Sequence, residues 1–169
     1  MSNFRSDTGH TMESDSTTLD QVDRKILARL QRDATIQNQQ LASEIGLSPS
    51  PCHRRVRALE EAGVIRGYVA LLDGPSVGAG FLAYVDIRLE RQAVEFSERF
   101  EKAALARAEV LECMRVTGDY DYLLKVATRD IEAFHRFLID FLTRIKGIAN
   151  TRTSIALNRV KETTALPIA

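Results

Sequence analysis

Three arginines within four positions, Arg54, Arg55 and Arg57, follow His53 in the stretch "GLSPSPCHRRVRALEEAG" (46–63), just after prolines at 49 and 51. Guanidinium groups pair bidentately with phosphate oxygens and with the O6/N7 edge of guanine, so this cluster points to an anionic partner. A second stretch, "TGDYDY" (117–122), brings together a glycine, two carboxylates and two tyrosines. A free amino acid presents an ammonium and a carboxylate. It needs an acidic side chain for the first, and backbone N–H groups or a cation for the second. Gly118 allows close backbone approach, Asp121 or Asp119 can accept the ammonium, and Tyr120 or Tyr122 can form a wall. The alternative is a plain hairpin turn in which Gly and Asp serve only the backbone.

The arginines need a helix whose other side is anchored. The first four N–H groups of a helix have no intrahelical acceptor, so proline is harmless there. The spacing predicts a helix with Ser48 as N-cap and Pro49 and Pro51 in its first turn. Cys52, Val56 and Leu59 then form an apolar stripe, with Ser50, His53, Arg54 and Arg57 on the opposite face. Upstream, Leu41, Ala42 and Ile45 mark a short helix closed by Gly46. Before that, Val22, Ile26, Leu27 and Leu30 mark another, capped by Asp20 with Asp23 three residues on.

Two short helices joined by "IGLS" form a helix-turn-helix, whose second helix enters the major groove of double-stranded DNA. The candidate DNA contacts are Ser48, Ser50, Pro51, His53, Arg54, Arg55 and Arg57, with Arg55 on the flank as a phosphate contact. The alternative is a merely solvated face, with Arg55 or Arg57 paired to Glu60 or Glu61. After Gly63, "VIRGYVALLD" has the β-branched and aromatic content of a strand, in which Arg66 and Tyr68 brace the hinge or, alternatively, touch the DNA backbone.

The loop at 117–121 needs a sheet. Phe81, Ala83, Val85, Ile87 and Leu89 alternate with polar residues as in a half-buried strand. Ala93, Phe96, Phe100 and Ala103 or Ala104 follow at helical spacing. Strands are predicted at 110–117 and 120–128, and a long helix opens at Asp130 and closes at Gly147. A last strand lies within 148–160. The order is βαββαβ, a ferredoxin-like module. Alternation places Met114, Val116, Tyr122, Leu124 and Val126 on one face, and Leu111, Cys113, Leu123 and Ala127 on the other. Both faces are then substantially apolar, which predicts dimerisation sheet against sheet.

Charge is balanced over the 169 residues, with 23 basic and 23 acidic side chains, but residues 19–72 carry eight basic against six acidic. Hydrophobic residues at 44% and charged residues at 27% describe a globular chain. No apolar run approaches the roughly 20 residues of a membrane span, and no signal pattern opens the sequence, so a cytoplasmic location is expected. Cys52 and Cys113 read as reduced, buried thiols. His10, His53 and His135 lack metal-ligand spacing and no nucleophile or phosphate-loop motif occurs, so neither an enzyme nor a cofactor is expected.

"LDQVDRKILARLQRDA", "LASEIGLSPSPCHRRVRALEEAGVIRGYVALLD", "VTGDYDYLLKV" and "VKETTALP" together resemble the Lrp/AsnC family, the leucine-responsive and asparagine-responsive regulators of bacteria and archaea. The resemblance runs from about Leu19 to Pro167. It implies an α+β protein with an N-terminal winged helix-turn-helix and a C-terminal effector-binding, dimerising module. It further implies dimers that assemble to tetramers or octamers, and an amino-acid effector held by Thr117, Gly118, Asp119, Tyr120 and Asp121. Thr35, Gln37 and His53 depart from the family's usual Arg, Ser or Thr, and Leu, so the DNA sequence preference does not carry over.

The expected organisation is a disordered tail at 1–18, the helix-turn-helix at 19–63, a linker strand and hinge at 64–80, the ferredoxin-like module at 81–162 and a C-terminal tail at 163–169. The expected function is sequence-specific transcriptional regulation modulated by a small effector. A ligand-independent architectural DNA-bending protein and a metabolic enzyme or its regulatory subunit are the alternatives.

Overall fold

The computed structural model describes residues 18–90, 94–142 and 144–168. They form two compact units: the residues up to Val69 together with those from Thr163 onward, and Ala70–Glu162. The tail expected at 1–18 lies, except for Thr18, outside the described residues.

The first unit is helical. α1 (Gln21–Leu30) opens with a reciprocal cap: the Asp23 N–H donates to Asp20 Oδ1 at 2.8 Å, and the Asp20 N–H to Asp23 Oδ2 at 3.3 Å. α2 (Asn38–Ile45) starts at Gln37, which makes no side-chain cap bond. It ends at Gly46, whose φ of +77° is the left-handed geometry the tight turn into α3 (Pro49–Glu61) requires. The Leu47 N–H closes that turn on the Ala42 carbonyl at 2.9 Å. The Asn38 amide then donates to the Pro49 carbonyl at 2.9 Å, tying the start of α2 to the start of α3. Ile26, Leu41, Ala42, Cys52 and Leu59 make the core, a small one for a folding unit.

The linker strand expected after Gly63 is not formed: residues 64–73 have no strand among the described residues. Val69, Leu71 and Leu72 are 70%, 73% and 71% exposed. Their β-propensity has nothing to act on, because a strand needs a neighbour for its N–H and C=O groups. A single 3₁₀ turn, Pro75–Val77, follows, held by the Ser76 N–H on Asp73 Oδ2 at 2.9 Å.

The second unit is the four-stranded antiparallel sheet of a βαββαβ chain: β1 (Phe81–Leu89), α4 (Val94–Leu105), β2 (Val110–Arg115), β3 (Tyr122–Thr128), α5 (Ile131–Leu142) and β4 (Ile148–Ile155). The spatial order is β2-β3-β1-β4. Alternate residues of β1 and β3, from Ala83 to Leu89 and from Tyr122 to Val126, meet Phe100 and Ala104 of α4 and Phe134, Phe137 and Phe141 of α5 in the core. α5 is opened by Asp130, whose Oδ1 accepts the Ala133 N–H at 2.7 Å. It stops at Leu142, short of the expected Gly147, and β4 stops at Ile155 rather than near 160. Ala93, expected on the apolar stripe of α4, lies outside the described residues.

One face assignment is reversed. Simple alternation puts Met114 on the face of Tyr122 and Leu124, and Cys113 on the other. Instead Cys113 pairs with Leu124 and packs on the core, while Met114 pairs with Leu123 and is 43% exposed. The six-residue loop between Arg115 and Tyr122 sets the register so that odd positions of β2 lie beside even positions of β3. A bulge between Val110 and Glu112 returns Val110 to the core side.

Candidate functional site

The α3 stripe expected to pack does so: Cys52 is fully buried, Leu59 is 4% exposed and Val56 packs beside them. Ser50, His53, Arg54 and Arg57 stand exposed on the other side. Among the described residues no ion pair engages Arg54 or Arg57. Glu60, one candidate neutraliser, instead accepts the Tyr68 hydroxyl at 2.9 Å. Burial, with that hydrogen bond, pushes the Tyr68 phenol up to about 12.

Ser48 is the N-cap by backbone geometry but makes no side-chain cap bond. The prolines narrow the choice of donors. An N-cap side chain bonds the second or third N–H of the helix, and Pro51 removes the third, leaving only that of Ser50. The tip therefore exposes few backbone donors, and the charge available to an anion comes from side chains. Pro51 is partly buried and Ser48 exposed.

Arg55 does something else. Its guanidinium contacts Asp20 at 2.7 Å and Asp23 at 2.8 Å, the same carboxylates that cap α1. The hydrogen bonds it donates to Asp23 and Asp20 hold its pKa above the ordinary value. Arg55 thus locks α3 onto the start of α1. Unlike Arg54 and Arg57, this candidate phosphate contact is engaged within the helical unit. Sequence spacing gives no hint of these aspartates, because they lie more than 30 positions away.

In the second unit a cleft of about 360 Å³ is lined by Leu89, Val94, Ser97, Arg115, Val116, Asp121 and Tyr122. Of the five loop residues expected to hold a ligand, only Asp121 lines it. Thr117, Gly118 and Asp119 are exposed, and Tyr120 lies under the Arg152 guanidinium, 5.0 Å from ring centroid to Cζ. Asp121 is held from two directions: its N–H donates to the Ile87 carbonyl at 2.9 Å, and its Oδ2 accepts the Leu89 N–H at 2.8 Å. Arg115 bonds Glu101 at 2.7 Å, and the Tyr122 hydroxyl donates to the same carboxylate oxygen at 2.7 Å.

The cleft thus combines a carboxylate, a guanidinium and the apolar side chains of Leu89, Val94 and Val116, the complement of a zwitterion with an apolar side chain. Sequence reasoning misses Arg115, Ser97 and the apolar lining. Arg115 belongs to β2 rather than to the Gly/Asp/Tyr loop, and Ser97 comes from α4, which only tertiary packing brings near. Tyr122 is both wall and core, 2% exposed with its ring 4.6 Å from that of Phe100.

Cys52 is buried and Cys113 partly buried, both free, and burial pushes the Cys113 thiol up to about 11. Among the described residues no group of three His, Cys, Asp or Glu side chains forms a metal site. No helix among them is long and apolar enough to cross a membrane.

Two family models match the chain: the Lrp/AsnC ligand binding domain over residues 82–166 and a winged helix-turn-helix DNA-binding domain over 19–66. The leucine-responsive regulatory protein of Escherichia coli is 43% identical over 150 residues, covering 89% of this chain and 92% of its own. Two solved structures superpose closely. A transcriptional regulator of Neisseria meningitidis in complex with L-Met gives a TM-score of 0.84 at 40% identity, covering 89% of this chain and 97% of its own. An AsnC family transcriptional regulator of Agrobacterium tumefaciens gives 0.85 at 40%, covering 88% and 97%.

Proposed function

This chain belongs to the Lrp/AsnC family of transcriptional regulators, whose members are not enzymes, and from that premise we propose how its parts act. α3 is the recognition helix, reading major-groove base edges and phosphates with Arg54, Arg57, His53 and Ser50, while Ser48 and Pro51 form its tip. The observation that carries this reading is the pair of exposed arginines, without ion-pair partners among the described residues, opposite a buried stripe.

The effector is a free amino acid with an apolar side chain, taken up at the cleft beside the 117–121 loop. Asp121 faces its ammonium, Arg115 its carboxylate, and Leu89, Val94 and Val116 its side chain. The L-Met bound to the Neisseria relative supports this chemistry. Thr117, Gly118, Asp119 and Tyr120 form the rim, which a neighbouring subunit completes. The protein acts in the cytoplasm as a homo-oligomer built from dimers. The open face of the sheet supports this: it carries Leu82, Tyr84, Leu123, Ala127 and the 43% exposed Met114 beside the ion pairs Lys125–Glu112 and Arg152–Asp86.

The test is operator binding by fluorescence anisotropy across a salt series, with and without each of the twenty amino acids. Arg54→Ala with Arg57→Ala is expected to weaken binding and to lower the slope of log K against log salt by about one for each phosphate no longer neutralised. An unchanged slope removes α3 as the reading surface. Affinity and assembly indifferent to every amino acid would leave the ligand-independent architectural role.

A further inference from the structure

We infer that the helical unit carries a binding site for a main-chain segment, and that the protein's own residues 163–168 occupy it as an intramolecular strap. These residues group with the helical unit, although the chain that leads to them belongs to the other. Gln31, the C-cap of α1, holds them at two points. Its Nε2 donates to the Leu166 carbonyl at 3.1 Å, and its Oε1 accepts the Leu166 N–H at 2.6 Å. A primary amide has one acceptor and one donor edge in a single plane, so it can replace the backbone of a neighbouring strand. Such a contact reads main chain rather than side chain, and the Leu166 side chain is accordingly left 73% exposed.

The site is prepared on both sides. The backbone N–H of Gln31 is itself bonded to the Leu27 carbonyl at 2.9 Å, which fixes the main chain from which its side chain leaves the helix end. Thr163 Oγ1 accepts the Ala165 N–H at 3.1 Å, shaping the chain just before Leu166. This gives a role to the "TTALP" segment, which neither the recognition helix nor the cleft uses. The chain passes between the two units twice, once after Val69 and once after Glu162. The strap is what brings the second passage onto α1.

Hydrogen exchange of the full chain, read by mass spectrometry on the C-terminal peptide, tests this. The Leu166 amide is expected to exchange about tenfold more slowly in the parent than in Gln31→Ala. Gln31→Glu, which keeps the acceptor but loses the donor, should fall between them. Ending the chain after Glu162 should lower the thermal midpoint of the helical unit. Equal exchange in parent and Gln31→Ala, or an unchanged midpoint on truncation, would overturn the strap.

Discussion

Arg54, Arg55 and Arg57 look equivalent in the sequence, yet their surroundings divide them. Arg55 is committed to Asp20 and Asp23, whereas Arg54 and Arg57 point outward. Arg55→Ala is therefore expected to lower the melting temperature of the helical unit while leaving the salt slope of DNA binding near that of the parent, the reverse of the Arg54/Arg57 pair. Circular-dichroism melts beside anisotropy titrations separate the two. Asp121 likewise has two tasks, accepting the Leu89 N–H and presenting charge to the cleft. Asp121→Asn keeps an acceptor for the Leu89 N–H and removes the charge, so it should lose the amino-acid response. Asp121→Ala also strands the Leu89 N–H, at a cost of about 1–3 kcal/mol in urea melts. An undiminished response in Asp121→Asn would move the effector elsewhere.

At the scale of elements, the caps make the helical unit sensitive to acid. Asp20, at the start of α1, is held below the ordinary carboxylate value by the Asp23 N–H. Asp33 is held low by the Thr35 hydroxyl, and Glu44 by the Arg29 guanidinium. A carboxyl with a depressed pKa in the folded state binds its proton more readily when unfolded. Its contribution is present above the unfolded value and lost as pH falls through the folded one. Helical ellipticity should therefore melt at progressively lower temperature as pH falls through about 4 and below. Asp20→Asn, which retains a capping oxygen, should show a shallower dependence. A melting temperature constant across that range would mean the caps contribute nothing.

At the scale of the whole molecule, the sheet's open face and the segment at 64–73, which forms no strand among the described residues, both leave groups that a second chain can satisfy. The open face has Leu111 at 55% and Met114 at 43% exposure on the edge strand β2, with Leu123 on β3 and Leu82 and Tyr84 on β1 continuing it. Light scattering at micromolar concentration is expected to give a dimer or a multiple of one, and a stable monomer would contradict the assembly. Two recognition helices held by a dimer should favour half-sites about one helical turn apart, roughly 34–36 Å, or its multiples. Inserting half a turn of DNA between half-sites should weaken binding more than inserting a whole one.

Local chemistry is legible without a fold. Asp20 with Asp23, Gly46, Pro49 and Asp130 mark helix ends because capping and turn geometry depend on residues within a few positions of each other. The alternation of β1 shows its buried face for the same reason, and the "TGDYDY" loop contains Asp121, which lines the cleft. What tertiary structure alone decided depends on partners far along the chain. The loop register reversed the faces of β2, and the 64–73 segment found no strand to pair with. Asp20 and Asp23 engaged Arg55 in an ion pair, and α4 carried Ser97 to Arg115 and Asp121. Propensity and periodicity are properties of a window; a cleft, an ion pair or a docked tail is a property of which windows meet.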